Sequence, residues 1–324
     1  MKKATLITSF EQTKLLADAR RLQILQWLMA SPATLTQLGT RLGQSPARVR
    51  HHLQKLVNAD LVEQAEIRVR GTVTEKFYRA KAGAFLIQKM ILPEGYRPAL
   101  LFAGSHDLII EKIAEKLSPY LEIILHPVGS LDGLVALRQG LCQISGAHLL
   151  DESGDYNTPY LRRFFPQRGM QVVTLAHRVQ GIMLAEGNPK KVKDFNDISR
   201  KDLRFLNRNF GSGTRIWLDE KLRAQGISTK SINGYEKTCA THTASAQKIK
   251  AGYADFAIGL QAAALQFQLD FIPLFEERFD LIISPKYAEI ADPLLNEIQT
   301  AEFRTLARSL TGYKVTHSGE QVLY

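Results

Sequence analysis

The chain has 324 residues, 45% of them hydrophobic and 23% charged, a composition typical of a globular protein with two or three domains. No apolar run approaches the ~18 to 20 residues of a membrane span, and the first residues lack a signal-peptide pattern, so we expect a cytoplasmic protein without membrane contact. The formal charge of +10 is concentrated in the first 90 residues, where 15 Lys and Arg face 6 Asp and Glu, which indicates a polyanionic partner such as nucleic acid.

Three helices are predicted in the first 60 residues. The run "ADARRLQILQWLMAS" has helical spacing, and "TLTQLGTRLGQ" is a second, short helix that ends at Gly43. A third follows, with Ser45 as N-cap and Pro46 at its first position. Its apolar face is formed by Val49, Leu53, Leu56 and Val57, while its other faces are basic. The alternating runs of "LVEQAEIRVRGTVTEKFYRA" then predict a β-hairpin joined at Gly71.

This order of elements resembles the winged helix-turn-helix of ArsR-like bacterial repressors, over roughly residues 15–82. The resemblance implies that the helix at residues 45–59 enters the major groove of DNA and that the hairpin touches the backbone. A winged helix used only for protein contacts is the alternative, and the charge excess favours DNA. The DNA-binding residues expected on this basis are Ser45, Arg48, Arg50, His51, Lys55, Arg68, Arg70 and Lys76.

The remaining chain has an α/β pattern. We predict a DNA-binding domain at residues 1–90, a linker at 91–97 and a second domain at 98–324 in which strands alternate with helices. The segment "MQVVTLAHRVQGIMLAEGNP" is expected to cross into a second lobe, and "DFIPLFEERFDLIIS" to cross back. The fold class is therefore multidomain, an α+β winged helix followed by a two-lobed α/β domain.

The second domain resembles type II periplasmic-binding-protein domains, especially those attached to bacterial helix-turn-helix regulators and to some molybdopterin-biosynthesis proteins. The resemblance covers roughly residues 96–315. It rests on "GSHD", "GSLDGL", "HLLDESGDYN", "NRNFGSGTR", "GYEKTCATH" and "YADFAIGLQAAA". It implies ligand binding in a cleft between the lobes, with no reaction and no cofactor.

Hydroxyl residues at the predicted starts of helices are the first candidates for this cleft. Ser105 and Ser130 each follow a glycine at a strand end, and Ser212 and Thr214 lie in the turn "GSGT" of the opposite lobe. Free backbone N–H groups and helix dipoles at such turns favour an anion, and Arg215 would add a charge. Each serine is explained about equally well as a plain helix cap.

Five further residues are weaker ligand candidates. Histidines in this set lack carboxylate or thiolate neighbours at ligand spacing, so hydrogen bonding or core packing is favoured over a metal. Cys142 and Cys239 lie far apart and give no support to a disulfide or zinc site. The weaker candidates are His148, Tyr156, Asn157, Tyr235 and His242.

The sequence thus predicts a homodimeric transcription regulator that binds operator DNA and senses a small anion, without enzymatic activity. Molybdate or tungstate is favoured because of the resemblance to molybdopterin proteins. One alternative is an enzyme or accessory protein of molybdenum-cofactor metabolism that uses the winged helix for protein docking. Another is a nucleoid-type DNA binder with a degenerate pocket. The operator and the sign of regulation are not predicted.

Overall fold

The computed structural model describes residues 4–7, 9–70, 73–87, 91, 93, 95, 97–167 and 169–324. The chain divides into two compact units, Met1–Ile91 and Leu92–Tyr324. In the part of the chain that is described, no helix is long and apolar enough to cross a membrane.

The N-terminal unit combines four helices with two small sheets. Strands β2, β4 and β3 form an antiparallel sheet, and β1 pairs in parallel with β5. The predicted hairpin is confirmed as β3 and β4, while its predicted turn residue Gly71 lies outside the described residues. The elements are β1 (Ala4–Ile7), α1 (Phe10–Leu16), α2 (Ala19–Ala30), β2 (Ala33–Thr34), α3 (Leu35–Leu42), α4 (Pro46–Asn58), β3 (Val62–Arg70), β4 (Val73–Ala80) and β5 (Ala84–Ile87).

Local sequence signals define the helix-turn-helix of α3 and α4. Thr34 and Gln37 form a capping box at the start of α3. Gly43 ends this helix with φ of 63°, a conformation that glycine adopts without strain. Ser45 is the N-cap of α4 as predicted, although its side chain makes no capping hydrogen bond. The predicted apolar face is confirmed, since Val49 and Leu53 are buried in the core of this unit.

The C-terminal unit contains two lobes built from alternating strands and helices. The first lobe comprises β6 (Ala99–Gly104), α5 (Leu108–Leu117), β7 (Glu122–Pro127), α6 (Ser130–Arg138), β8 (Ile144–Ala147) and α7 (Thr158–Phe164). The second comprises β10 (Phe205–Arg208), α8 (Gly213–Ala224), β11 (Thr238–Cys239), α9 (His242–Lys250), β12 (Phe256–Leu260) and α10 (Gln261–Gln266). Strands β9 (Gln171–Leu184) and β13 (Asp270–Ile283) connect them, and α11 (Ala288–Glu297), α12 (Ala301–Arg308) and β14 (Tyr313–Lys314) follow.

One mixed sheet runs through both lobes. Its strand order is β11-β10-β12-β9-β13-β8-β6-β7, with β14 added to β9. The long strands β9 and β13 pair antiparallel along their whole length, from Leu184 opposite Asp270 to Gln171 opposite Ile283. Each therefore belongs to both lobes, which confirms the two predicted crossings. Within each lobe the outer strands are parallel, so the helices that follow them begin at one edge of the sheet.

The largest hydrophobic core of the described residues extends over both lobes and the long strands. It includes Leu100 of β6, Ile113 of α5, Phe279 of β13 and Phe303 of α12, none of which is more than marginally exposed. Burying side chains of this size contributes about 1.5 to 3 kcal/mol each. This core fixes the strand ends from which the polar residues described below project.

Candidate functional site

The N-termini of helices α6 and α8, from opposite lobes, meet directly. Gly129 caps α6 with φ of 103°, and a Cβ atom there would lie 2.9 Å from the backbone nitrogen of Ser212. The backbone N–H of Leu131 donates to the carbonyl of Gly211 at 2.9 Å, and Asn209 Nδ2 donates to the carbonyl of Val128 at 2.8 Å. Two positive helix ends are thus brought together, an arrangement that favours a bound anion.

A buried chain of polar groups lies beside these helix ends. Ser105 Oγ lies 2.8 Å from Ser130 Oγ and 3.0 Å from His148 Nε2. His148 Nδ1 lies 2.5 Å from Glu277 Oε2, and the backbone N–H of His148 donates to Ser130 Oγ at 3.2 Å. Burial lowers the pKa of His148, although Glu277 opposes that effect. A neutral ring that carries its proton on Nδ1, facing the carboxylate, accepts the Ser105 hydroxyl proton at Nε2.

The charge of Glu277 is balanced by Arg178 on the neighbouring strand. Arg178 Nη2 contacts Glu277, and its Nη1 donates to Asp107 Oδ2 at 2.8 Å. Gln180 Nε2 donates to Glu277 at 2.6 Å, and Tyr313 OH donates to Asp107 at 2.8 Å. Burial would raise the pKa of Glu277, but Arg178, His148 and Gln180 outweigh it and bring the pKa to about 2. The Glu277 carboxylate is therefore ionised, and both carboxylates accept hydrogen bonds from buried donors.

Arg208, at the end of β10, has no such balance. It is 1% exposed. Its Nε donates to the carbonyl of Cys239 at 3.2 Å and its Nη2 to that of Ala240 at 2.7 Å. Among the described residues Nη1 has no hydrogen-bond partner, and no carboxylate pairs with the guanidinium. Burial, followed by the charge of Arg178, lowers its pKa to about 10, so Arg208 is still cationic at neutral pH.

Two histidines near Arg208 are also incompletely satisfied. His242 is the first residue of α9 and is fully buried, and neither of its ring nitrogens has a partner within the described ranges. The ring of His106 lies 6.0 Å from it between centroids, and His106 Nδ1 likewise has no partner there. Buried polar atoms are almost always hydrogen-bonded. Unpaired donors from both lobes therefore indicate a ligand site.

A cavity of about 170 Å³ adjoins this cluster. It is lined by Ser105, His106 and Asp107 from the first lobe and by Thr241 from the second, together with Glu111, His126 and apolar side chains of β6, α5 and β7. Drug-sized ligands need roughly 300 to 1,000 Å³, and a water molecule takes up about 30 Å³. The space suits an ion of a few heavy atoms.

The residues of the "GSGTR" turn are held differently from one another. Thr214 Oγ1 donates to Gln180 Oε1 at 2.9 Å, within the cluster. Ser212 Oγ donates to the carbonyl of Asn209 at 2.9 Å and accepts the N–H of Arg215 at 3.3 Å, as a helix cap does. Arg215 Nε binds Asp219 at 3.0 Å, and its guanidinium lies 3.9 Å from the ring centre of Tyr235. Arg215 is therefore held by an ion pair and a ring contact, whereas Arg208 has no carboxylate partner among the described residues.

Three of the weaker candidates also have structural partners. Asn157 Nδ2 donates to Asp280 Oδ2 at 2.8 Å, and its Oδ1 accepts the N–H of Leu149 at 2.7 Å. Tyr235 OH donates to Asp219 at 2.5 Å, and Tyr156 OH to the carbonyl of Glu276 at 3.2 Å. His148 and His242, in contrast, lie in the cluster. A role in ligand binding stays a prediction for all five.

Sequence reasoning missed the charged members of the cluster. Arg178, Gln180 and Glu277 interrupt two otherwise apolar crossing strands, and Arg208 ends a strand immediately before the glycine-rich turn. An isolated charge inside a buried strand is a signal of function or of an ion pair. That signal was present, but only the strand pairing shows which charges meet.

The N-terminal unit presents a second candidate surface, on α4 and the hairpin. Ser45, Arg48, Arg50, His51 and Lys55 of α4 and Lys76 of β4 are exposed. Among the described residues no ion pair involves Arg48, Arg50 or Lys55, whereas Arg68 contacts Glu66. The side chain of Arg70 lies outside the described residues. An exposed basic helix following a short helix is the arrangement that reads the major groove.

Comparison with known proteins identifies both units. A family model described as "PBP superfamily domain" matches residues 110–298. The chain belongs to the PBP superfamily. A second model, "Bacterial regulatory protein, arsR family", matches residues 18–64, so the N-terminal unit of this PBP-superfamily protein contains an ArsR-family helix-turn-helix.

Two curated relatives are similar to this PBP-superfamily chain. "Uncharacterized protein YvgK" of Bacillus subtilis is 31% identical over 234 residues, which are 71% of this chain and 75% of the relative. An uncharacterized protein in the ferredoxin 2Fe-2S gene 5' region of Clostridium pasteurianum is 38% identical over 112 residues, 33% of this chain and 97% of the relative.

Solved structures of low sequence identity are also similar to the chain. A putative phosphate ABC transporter substrate-binding protein from Clostridium perfringens, with bound phosphate, is 13% identical, with a TM-score of 0.47 and coverage of 65% of this chain and 97% of that chain. The tungstate ABC transporter from Geobacter sulfurreducens is 13% identical, with a TM-score of 0.45 and coverage of 65% and 98%.

Proposed function

We propose that this protein is a cytoplasmic, DNA-binding transcription regulator whose C-terminal unit binds a small anion between its two lobes. The observation that carries the proposal is Arg208, a buried guanidinium with an unpaired Nη1 and no carboxylate partner among the described residues. A buried charge without a counterion is costly, by several kcal/mol. An anion at this position would supply the missing counterion.

The donors around Arg208 favour an oxyanion. The α6 and α8 N-termini and the ring of His242, which has no partner among the described residues, are groups that bind anionic oxygens. The hydroxyls of Ser105 and Thr214 and the ring of His148 are held by contacts within the cluster. The carboxylates of the cluster are already occupied by Arg178 and other donors. Within this class we favour molybdate or tungstate, which fit a cavity of about 170 Å³ and agree with the resemblance noted from the sequence.

In this proposal the ArsR-family unit binds DNA. Exposed Arg48, Arg50 and Lys55 provide the free positive charge that phosphate contacts require. We propose a homodimer, because two recognition helices spaced about 34 Å apart match successive major grooves. If the anion stabilises a closed arrangement of the lobes, anion affinity and DNA affinity become coupled.

A thermal-shift screen of the full chain tests the proposal. Molybdate, tungstate, sulfate, phosphate and small carboxylates are added singly, and a ligand present at 100 times its dissociation constant stabilises by about 2.7 kcal/mol. The hit is then added to a DNA-binding assay with genomic fragments. If none of these anions stabilises the protein, the ligand assignment is wrong. If no fragment binds, the proposed DNA-binding function of the N-terminal unit is wrong.

One observation favours an enzyme as a second candidate function. Ser105 Oγ, His148 and Glu277 stand in the order nucleophile, base and carboxylate, at 3.0 and 2.5 Å. Such an enzyme would act on an activated ester or phosphate ester, for instance an intermediate of molybdenum-cofactor metabolism. Turnover of nitrophenyl acetate and nitrophenyl phosphate that disappears in Ser105→Ala would support it, whereas anion binding without turnover supports the regulator.

A further inference from the structure

We propose that His242 takes up a proton when the ligand binds, so that the interlobe site binds an oxyanion together with one proton. This inference rests on the proposed function of the same site. It concerns the charge of the ligand and a residue whose ring is otherwise unexplained.

The ring of His242 is buried without hydrogen-bond partners among the described residues. Its ring is fully buried at the N-terminus of the nine-residue helix α9, where Thr241 caps the helix through the N–H of Ala244. Neither ring nitrogen has a partner in the part of the chain described. A neutral imidazole in this position leaves one donor and one acceptor unsatisfied.

The charged and titratable groups around His242 come from four elements. They are Arg208 of β10, Arg178 of β9, His106 between β6 and α5, and His148 after β8. Arg178 contacts the carboxylates of Asp107 and Glu277, whereas Arg208 contacts no carboxylate among the described residues, and the two positive and two negative charges cancel. Burial, and next the charge of Arg208, place the pKa of His242 well below its usual 6.5. In the free protein the ring is therefore neutral at pH 7.

An anion reverses this balance. Because the charges of Arg178, Arg208, Asp107 and Glu277 cancel, a bound anion adds net negative charge to a buried site, which is unfavourable. Protonation of His242 offsets that charge and converts both ring nitrogens into donors. The pKa of His242 therefore rises on binding. By linkage, affinity is greatest at low pH and falls as pH rises through the pKa of the liganded state, by at most about tenfold per pH unit.

Calorimetric titration of the full chain with molybdate measures the proton directly. Titrations at pH 7.5 in buffers of different ionisation enthalpy give the number of protons taken up, because molybdate itself does not titrate there. We expect about one proton per anion for the unmodified chain and none for His242→Gln, whose affinity is also independent of pH between 6.5 and 8.5. The matched control His177→Gln changes a histidine of β9 whose ring packs against His317 and is expected to keep the proton uptake.

The outcomes distinguish failure of the His242 inference from failure of the proposed anion-binding function. Anion binding without proton uptake, or uptake that persists in His242→Gln, would show the inference about His242 to be wrong while leaving the anion site intact. If molybdate, tungstate and sulfate all fail to bind the unmodified chain, the proposed function itself is wrong. Thermal unfolding of His242→Gln checks that the variant is folded.

Discussion

Positive charge is used in two opposite ways in the two units of this molecule. On α4 of the N-terminal unit, Arg48, Arg50 and Lys55 are exposed and carry no ion pairs among the described residues. In the C-terminal unit, Arg178 and Arg208 are almost completely buried between strands. The first group is solvated and screened by salt, whereas the second is desolvated and screened much less. The first suits a long polyanion and the second a single small anion.

The difference also has a thermodynamic side. Exposed arginines cost little stability in the absence of DNA, because water solvates them. Buried arginines need partners within the protein, and Arg178 contacts two carboxylates while Arg208 contacts none among the described residues. The proposed anion site rests on this difference. The following predictions test this contrast, from the largest expected effect to the smallest.

Glu277→Gln should have the largest effect, on stability. It leaves Arg178 with one of its two carboxylate partners and places a neutral amide opposite His148, and removal of one member of a buried ion pair costs about 3 to 5 kcal/mol. Denaturant unfolding at pH 7 measures the change. The control Glu276→Gln alters the neighbouring exposed residue, paired with Lys314, and should cost less than about 1 kcal/mol.

The ionisation of Glu277 makes the stability of the fold depend on pH. The pKa of Glu277 is about 2 in the folded protein, against an ordinary value of 4.5. Its contribution to stability is therefore complete above pH 4.5 and is lost as pH falls from 4.5 towards 2. Stability measured across this range should fall less in Glu277→Gln than in the unmodified chain, and equal slopes would contradict the ion-pair assignment.

Arg208→Met should weaken anion binding by about a hundredfold or more, because truncating one partner of a buried charge pair costs about 2 to 5 kcal/mol. Calorimetry with the anion found by screening measures this loss. Arg208→Lys keeps the positive charge but loses the planar guanidinium with its several N–H donors, and should bind the anion with intermediate affinity. Arg204→Met, which removes an exposed arginine paired with Asp255 in the same lobe, is the control. Unchanged affinity in Arg208→Met would place the anion elsewhere.

Arg48→Ala and Arg50→Ala should each weaken operator binding, by about 1 to 3 kcal/mol for a base contact. A phosphate contact instead lowers the salt slope by about one. Fluorescence anisotropy at several salt concentrations distinguishes these results. Arg79→Ala, which removes an exposed arginine paired with Glu63, should have little effect. If the Arg48→Ala, Arg50→Ala double variant has unchanged affinity and salt slope, α4 is not part of the DNA interface.

Ser212→Ala should have the smallest effect. Its hydroxyl caps α8 and faces the carbonyl of Asn209, so we expect a loss of about 1 kcal/mol in stability and an anion affinity within threefold of the unmodified chain. Thr214→Val removes a hydroxyl that lies in the cluster and should weaken binding about tenfold. A larger loss for Ser212→Ala than for Thr214→Val would show that Ser212 contacts the anion.

Much of the fold and part of the site could be read from the sequence. Periodicity, the Gly43 and Pro46 signals and the alternating hairpin gave the winged helix, because each depends on residues a few positions apart. The two crossings were visible as long apolar runs. Ser105 and Ser130 were predicted from their positions after strands and His148 as a weaker candidate, and the structure brings the three together.

The sequence by itself therefore determined the two units, the basic recognition helix and the glycine-rich helix starts, since these are local patterns of charge, apolar spacing and turn chemistry. Only the tertiary structure decided which charges are free. Arg215 and Arg208 lie in the same short motif, yet Arg215 is held by Asp219 and Tyr235 while Arg208 points to no carboxylate among the described residues. Pairing between residues far apart, such as Arg178 with Glu277, depends on strand register, which the sequence pattern does not encode locally.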